Sequence, residues 1–422
     1  MIDKQTITEH ELGYLGSMIN PKNPKNKYEE HFVRAGQPET MEEFWAEQAK
    51  LVDWFEEPKT ILDKSNPPFY KWFPGGKLNT CYNCLDRHVK NNPNGKALIW
   101  ESAMTNSYKE YTYAELTDLV ARFAGVLRNH GVEKGDRVII YMAMVPEAII
   151  AILACSRIGA IHSIVFGGFG GPELASRILD AKPKLIVITS CGIEPHKIVN
   201  YTQLCDEGMK LAGVSLKRIF VQREKMKAVL VEGQDFEFYE ELAKAQPVDP
   251  VPVDATDYLY ILYTSGTTGT PKGIVRDNGG NAVALCYTMK YIMDIKPGDV
   301  YFSTSDIGWV VGHSYIIYGP LLVGATTLLY EGKPTGTPDA GIVWRLCEKH
   351  KVKGLYSAPT ALRTMRREDP DGAHIKKANL DNLNMISMAG ERMDIPAYNW
   401  LTEHLPKHVI VNDNYWQTET GW

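Results

Sequence analysis

The chain has 422 residues, 44% apolar and 23% charged, with a formal net charge of −5. These are ordinary globular proportions, on a chain long enough for two or three packed subdomains. The charge leaves no basic footprint for nucleic acid. No unbroken apolar run approaches the ~20 residues of a membrane span; the nearest, Ala148 to Phe169, is interrupted by Arg157 and His162. The start, Met1-Ile2-Asp3-Lys4, lacks a basic-then-apolar signal, and Asp3, Glu9 and Glu11 argue against a transit peptide. Seven scattered cysteines point to reduced thiols inside the cell, in the cytoplasm or alternatively the mitochondrion.

Residues 1 to 75, rich in aromatics, acids and prolines, read as helices and irregular segments wrapping a body formed by 76 to 422. Within the wrap Trp45, Leu51, Val52, Trp54 and Phe55 predict one amphipathic helix. Cys81-Tyr82-Asn83-Cys84 with His88 has the look of half a zinc site. No second Cys-x-x-Cys or His pair follows, so the reading preferred is a helix in which Cys84, Leu85 and His88 pack or cap. From residue 95 an alternation begins. Ala97 to Trp100 is a strand. Thr112 and Glu115 have capping-box spacing ahead of a helix carrying Leu116, Leu119, Val120, Phe123 and Leu127, and Gly131 ends it. Val138 to Met142 is a strand, Pro146 opens a helix through Ile158, and Ile161 to Phe166 is the next strand. This β-α-β order signals a parallel sheet covered on both faces.

Further strands are expected at Leu185 to Ile188, Arg218 to Val221, Tyr258 to Tyr263, Ala325 to Tyr330, Gly354 to Tyr356, Met385 to Met388 and His408 to Val411. A helix is expected near Ile342 to His350. The charged, proline-ended stretch Gln222 to Val253 reads as the main surface insertion. No internal repeat or low-complexity tract is present. The chemically suggestive motifs fall at the carboxyl ends of strands, where open α/β sheets bind ligands.

The densest of these is Tyr263-Thr264-Ser265-Gly266-Thr267-Thr268-Gly269-Thr270-Pro271-Lys272-Gly273, directly after the apolar run Tyr258 to Leu262. Glycines let backbone approach phosphate oxygens, N–H groups and hydroxyls donate to them, and Lys272 adds a compact positive charge. The spacing excludes a Walker loop: only two residues separate Gly266 from Gly269, and Pro271 breaks the required ending. A second motif, Asn412-Asp413-Asn414-Tyr415-Trp416-Gln417-Thr418-Glu419-Thr420-Gly421, follows the strand at His408 to Val411. Glu419 suits Mg²⁺, which takes one or two carboxylates beside phosphate oxygens, and Trp416 suits the floor of an apolar pocket. Ser387-Met388-Ala389-Gly390-Glu391 offers a glycine against which a flat base could lie, or a plain strand-to-helix turn. Asp306-Ile307-Gly308-Trp309-Val310-Val311-Gly312-His313-Ser314 fits an acyl-pocket wall and fits core equally well. Phe166-Gly167-Gly168-Phe169 and Tyr356-Ser357-Ala358-Pro359-Thr360 are weak signals singly.

In order and spacing together, these motifs closely resemble those of the adenylate-forming enzymes, and within them the short-chain acyl-CoA synthetases that form AMP. Phe44-Trp45, Trp54-Phe55 and Asn83-Cys84-Leu85-Asp86-Arg87-His88 resemble that group in particular, and the resemblance runs through essentially the whole chain. Val310-Val311, Ala389 and Cys191-Gly192-Ile193-Glu194-Pro195 are similar to propionyl-CoA synthetases. Acetyl-CoA synthetases usually carry Val-Thr and valine at the first two places. The resemblance implies an α/β fold of two doubly covered, mostly parallel sheets with a small β-barrel subdomain.

It also implies substrates and site residues. A short-chain carboxylate, propionate ahead of acetate, would attack the α-phosphate of MgATP, and CoA would then take the acyl group. Thr264, Ser265, Gly266, Thr267, Thr268, Gly269 and Lys272 would clasp the β/γ-phosphates. Thr418 would meet the α-phosphate and Glu419 would hold Mg²⁺. Gly390, Glu391 and Arg392, with Asp413, Asn414, Tyr415, Trp416 and Gln417, would line the adenine pocket; Arg392 stands where a proline is common. Trp309, Val310, Val311, Ala389 and Trp416 would form the acyl pocket. Phe166, Gly167, Gly168 and Ala358 would meet CoA, although the Arg-Gly-Gly-Arg-like run of acetate enzymes is missing near Glu194 to Lys197. Family members continue beyond the equivalent of Trp422 into a ribose-binding Asp region, a hinge and a small C-terminal domain with the adenylation lysine. The expectation is therefore a fragment that binds nucleotide weakly and turns over poorly alone. Acetyl-CoA synthetase and a truncated, non-catalytic nucleotide-binding module are the alternatives.

Overall fold

In a computed structural model describing residues 26–264 and 271–421, the strand–helix alternation builds two seven-stranded sheets. The first runs, in spatial order, Asp235–Glu237, Lys217–Val221, Leu185–Thr189, Arg137–Tyr141, Ile161–Ile164, Tyr258–Thr264 and Lys272–Asp277. All neighbours in it are parallel except the last pair. The second runs Ile410–Asp413, Met385–Met388, Val352–Ser357, Val300–Ser303, Thr326–Glu331, Lys96–Ser102 and Ser107–Thr112, again parallel but for the final pair. Central strands such as Leu185–Thr189 are buried at every position, as a sheet covered on both faces requires.

Local chemistry sets the helices as the spacing predicts. The Glu115 N–H donates to Thr112 Oγ1 at 3.2 Å and the Thr112 N–H to Glu115 Oε2 at 2.8 Å, a complete capping box on the helix Tyr113–Asn129. Pro146–Arg157 is buried on every side except at Glu147, so its apolar run is a core helix. One core cluster takes in Ile140 and Ile164 of the first sheet, Leu98 and Leu329 of the second, and Ile316 and Leu321 between them. A second, around Trp344, Leu346 and Leu401, lies against the second sheet.

Three expectations need correction. The helix predicted through Phe55 stops at Gln48, and a 3-10 turn covers Ala49–Leu51. The Asn83 side chain captures the backbone on both sides of Asp53, at 2.7 Å from its N–H and 3.0 Å from its carbonyl, and draws the chain out of helix. The supposed surface insertion after Gln222 contributes the edge strand Asp235–Glu237 and the helix Phe238–Lys244. A buried Arg218–Asp235 ion pair at 2.8 Å and a Phe123–Phe238 stack at 4.4 Å anchor it. No barrel closes among the described residues; their remaining strands form three two-stranded ribbons. Other strands of the two large sheets left unpredicted, Ser107–Thr112, Lys272–Asp277 and Val300–Ser303, are short or lie at sheet edges, where one-sided burial weakens the pattern. No helix among the described residues is long and apolar enough to cross a membrane.

A buried ion pair joins the two sheets. Arg223, just past the strand Lys217–Val221, donates to Glu331 at the end of Thr326–Glu331, with Nη2 to Oε2 at 3.0 Å. Ser102 Oγ donates to the same oxygen at 2.7 Å. Removing one partner would strand the other charge in the interior. Glu331→Ala should therefore cost about 3–5 kcal/mol, and Arg223→Met/Glu331→Leu together should cost less than Glu331→Ala alone. Urea denaturation of the two variants checks this; a double variant weaker than the single one would contradict it.

Candidate active site

The loop motif sits on the antiparallel edge of the first sheet. Tyr260 of Tyr258–Thr264 pairs with His162 on one side, while on the other Thr264 lies opposite Lys272 and Tyr260 opposite Arg276. Ser265, Gly266, Thr267, Thr268, Gly269 and Thr270 lie outside the described residues. Lys272 is exposed at the loop's return, and Tyr263 Oη donates to Asp180 Oδ2 at 2.6 Å.

The second motif leaves the other sheet at Asp413. The Asn414 N–H donates to Met388 O at 2.7 Å, tying it to the strand that leads into Ala389 and Gly390. Asp413 Oδ2 accepts the Met393 N–H at 3.2 Å. Gly390 has φ +107 and open space where a Cβ would stand, a bare backbone platform that other residues rarely supply. Arg392 and Tyr415 are exposed. The Glu391 carboxylate pairs with Arg363, whose Nη1 also reaches Asp394 at 3.3 Å, so Glu391 is committed to an ion pair at the platform's rim.

Trp416 packs 5.6 Å from the Tyr315 ring and 6.3 Å from that of Tyr356, and these two tyrosines stack at 5.1 Å. Ala389 is buried in the same core, with Val310, Val311 and Trp416 packed half-buried against it. Trp309 goes elsewhere. It is 46% exposed and lies 5.2 Å from Phe166. Of the predicted acyl-pocket set, Trp309 thus lies on the Phe166 segment and Trp416 on the tyrosine pair. Sequence reasoning passed over Tyr315; its adjacency to Ser314 was the available signal.

Gln417 to Gly421 forms a turn, with the Gly421 N–H donating to Gln417 O at 3.1 Å. Glu419 is exposed on it and opens onto a cleft of about 840 Å³, with Trp45, Tyr70 and Trp72 on one wall and Arg276 and Asp277 on the other. Among the described residues no three His, Cys, Asp or Glu side chains gather as a metal cage. A lone exposed carboxylate suits a cation whose other ligands are phosphate oxygens and water.

In both sheets the order in which the chain adds strands reverses beside one narrow pocket. In the first sheet the switch falls between Arg137–Tyr141 and Leu185–Thr189, and in the second between Val300–Ser303 and Val352–Ser357. The pocket, about 70 Å³, is lined by Met144, Phe166, Gly167 and Gly168 from the first sheet and by Asp306 and Lys333 from the second. Such switch points are where α/β sheets take ligands. Ala358 is not in that lining; it is the N-cap of the helix Pro359–Glu368. Glu194 pairs with Lys333 at 2.9 Å on the pocket's edge.

Burial pushes the Asp306 carboxyl up to about 6, against the opposing pull of the Gly308 N–H at 2.8 Å and of Lys333. The folded chain then holds this proton more tightly than the unfolded one. The resulting penalty is absent below about pH 4 and complete above about pH 6. Asp306→Asn keeps an acceptor for Gly308. It should stabilise the protein at pH 7.5 by up to about 3 kcal/mol, with the gain vanishing near pH 4 in urea denaturation at the two pH values. A gain independent of pH would refute the cause given.

Residues 85–422 match the family model described as AMP-binding enzyme, and residues 35–84 match that of the acetyl-coenzyme A synthetase N-terminus. Acyl-CoA synthetase short-chain family member 3, mitochondrial, of Homo sapiens is 46% identical over 97% of this chain and 60% of its own length. Propionate–CoA ligase of Escherichia coli is 45% identical over 90% of the chain and 60% of its own. Acetoacetyl-CoA synthetase from Streptomyces lividans superposes with a TM-score of 0.82 at 22% identity, covering 95% of this chain and 61% of that one, a likeness of fold. The chain spans about 60% of the length of the curated relatives named here.

Proposed function

Because the chain belongs to the family of AMP-binding enzymes, we propose that it activates a short-chain carboxylic acid, propionate in preference to acetate, with ATP and passes the acyl group to CoA. The observation that carries the reading is the meeting of the loop hairpin and the Glu419 turn: Thr418 O accepts Arg276 Nη2 at 2.5 Å. The similarity to proteins named propionate–CoA ligase and short-chain acyl-CoA synthetase supports the choice of acid. Residues 76 to 422 would form the reacting body with residues 1 to 75 wrapped on it. Seven free, buried cysteines suit the reducing interior of a cell.

In this reading the carboxylate oxygen attacks the α-phosphorus, a P–O bond forms, and the bond to pyrophosphate breaks. The thiol of CoA then attacks the acyl carbon and AMP departs with the former carboxylate oxygen. A carboxylate is a weak nucleophile, so the protein's share is placement and neutralisation of charge. Thr264 and Lys272, flanking the loop, would grip the β/γ-phosphates together with the loop hydroxyls. Gly390 would let adenine lie flat on backbone, bordered by Asp413 to Gln417. Thr418 would approach the α-phosphate, and Glu419 would hold Mg²⁺, which supplies charge neutralisation to the phosphates. Phe166, Gly167 and Gly168 would guide CoA through the pocket at the switch points. ATP–pyrophosphate exchange on the whole gene product tests this: propionate should support it best, acetate less, and longer acids poorly. Exchange indifferent to the acid would overturn the reading.

Acid size would be measured by Ala389 against the Tyr315, Tyr356 and Trp416 rings. Adding two methyl groups there removes the room for one more carbon, and one methylene is worth about 1–3 kcal/mol of discrimination. Ala389→Val should lower the propionate-to-acetate ratio of kcat/KM by about tenfold or more; an unchanged ratio would place the alkyl group elsewhere.

A further inference from the structure

Arg276 stands four residues after Lys272 on the edge strand, so the two side chains leave the same face of it. Its Nη2 donates to Thr418 O at 2.5 Å, and its Nε reaches Tyr260 Oη, its cross-strand partner, at 3.4 Å. Gly421, at φ +93, lies flush on the guanidinium, where any Cβ would run into it. Ser314 Oγ holds the turn from the opposite direction by donating to Gly421 O at 3.4 Å. The turn that carries Glu419 is thus fastened at Thr418 to the loop hairpin and at Gly421 to the helix beside the tyrosine pair.

From this geometry we infer that Arg276 is a positioning residue that fixes the turn carrying Glu419 on the hairpin strand, and with it the metal's protein ligand. The inference rests on the function proposed above. A planar guanidinium can serve Thr418 and Tyr260 at once, which a single ammonium cannot. The Arg276 contact is to backbone, so what it fixes is the path of the turn and not the chemistry of the neighbouring side chain.

The test is calorimetric titration of the folded protein with ATP, with ATP plus Mg²⁺, and with AMP, for wild type, Arg276→Met, Glu419→Gln and the double variant. In wild type, Mg²⁺ should tighten ATP binding. Arg276→Met should lose about tenfold of that metal-dependent gain, the scale of one hydrogen bond in a charged setting, with a smaller loss for AMP, which shares only the α-phosphate beside Thr418. Glu419→Gln should lose the same gain, and the double variant should lose no more. Arg276→Lys, which keeps the cation, should fall between and replaces the methionine variant if that fails to fold. An unaltered Mg²⁺ effect in Arg276→Met, or equal losses for AMP and ATP with and without metal, would overturn the inference. If Glu419→Gln keeps the full Mg²⁺ gain, or wild type binds no ATP, the metal role or the proposed function itself is what fails.

Discussion

Everything at the candidate site depends on two separate sheets being held in register, because each supplies half of the parts. The loop hairpin closes the first sheet; the Gly390 platform and the Glu419 turn end strands of the second. A shared apolar core is the main tie between them. It is non-directional, so it holds the sheets together without specifying how they are aligned. A directional contact does that, the ion pair of Arg223 with Glu331. A buried ion pair is weak evidence of net stability but strongly disfavours any arrangement that separates its members.

Polar groups concentrate where this alignment matters. His162 Nε2 meets Tyr318 Oη at 2.6 Å, yet its Nδ1 has no partner, and neither has His313 Nε2. Burial depresses both imidazoles, so both rings stay neutral at physiological pH. Asp277 is raised to about 6 by the same cause and faces the large cleft. Stability alone does not favour such placements. The two histidines lie where the hairpin strand, the segment Asp306 to Ser314 and the Ile161–Ile164 strand meet.

Much of the fold was legible. Alternating apolar strands and capped helices carry a local signal, and the capping box at Thr112 and Glu115 is present down to both reciprocal bonds. The failures are physical as well. Phe55 lost its helix to the Asn83 side chain, which binds Asp53 from 30 residues away. Asp235 looked like loop and became an edge strand because Arg218 lies at the matching register. Of the candidate site, the motif residues were legible as composition, since glycine, hydroxyls and a lysine in one loop have few other uses. Arg276 was not, because its strand is half-exposed and its partner lies 142 residues further on.

The amino-acid order by itself determined the alternation of elements, the exclusion of a Walker loop and the identity of the chemical groups at strand ends. Those properties follow from short-range sterics, spacing and composition. Only the tertiary structure decided which strand ends meet: Trp309 on Phe166 and away from Trp416, Glu391 bound to Arg363, and both switch points on one pocket. Such pairings arise from the packing of whole sheets, to which each residue contributes little and over which no local pattern has command.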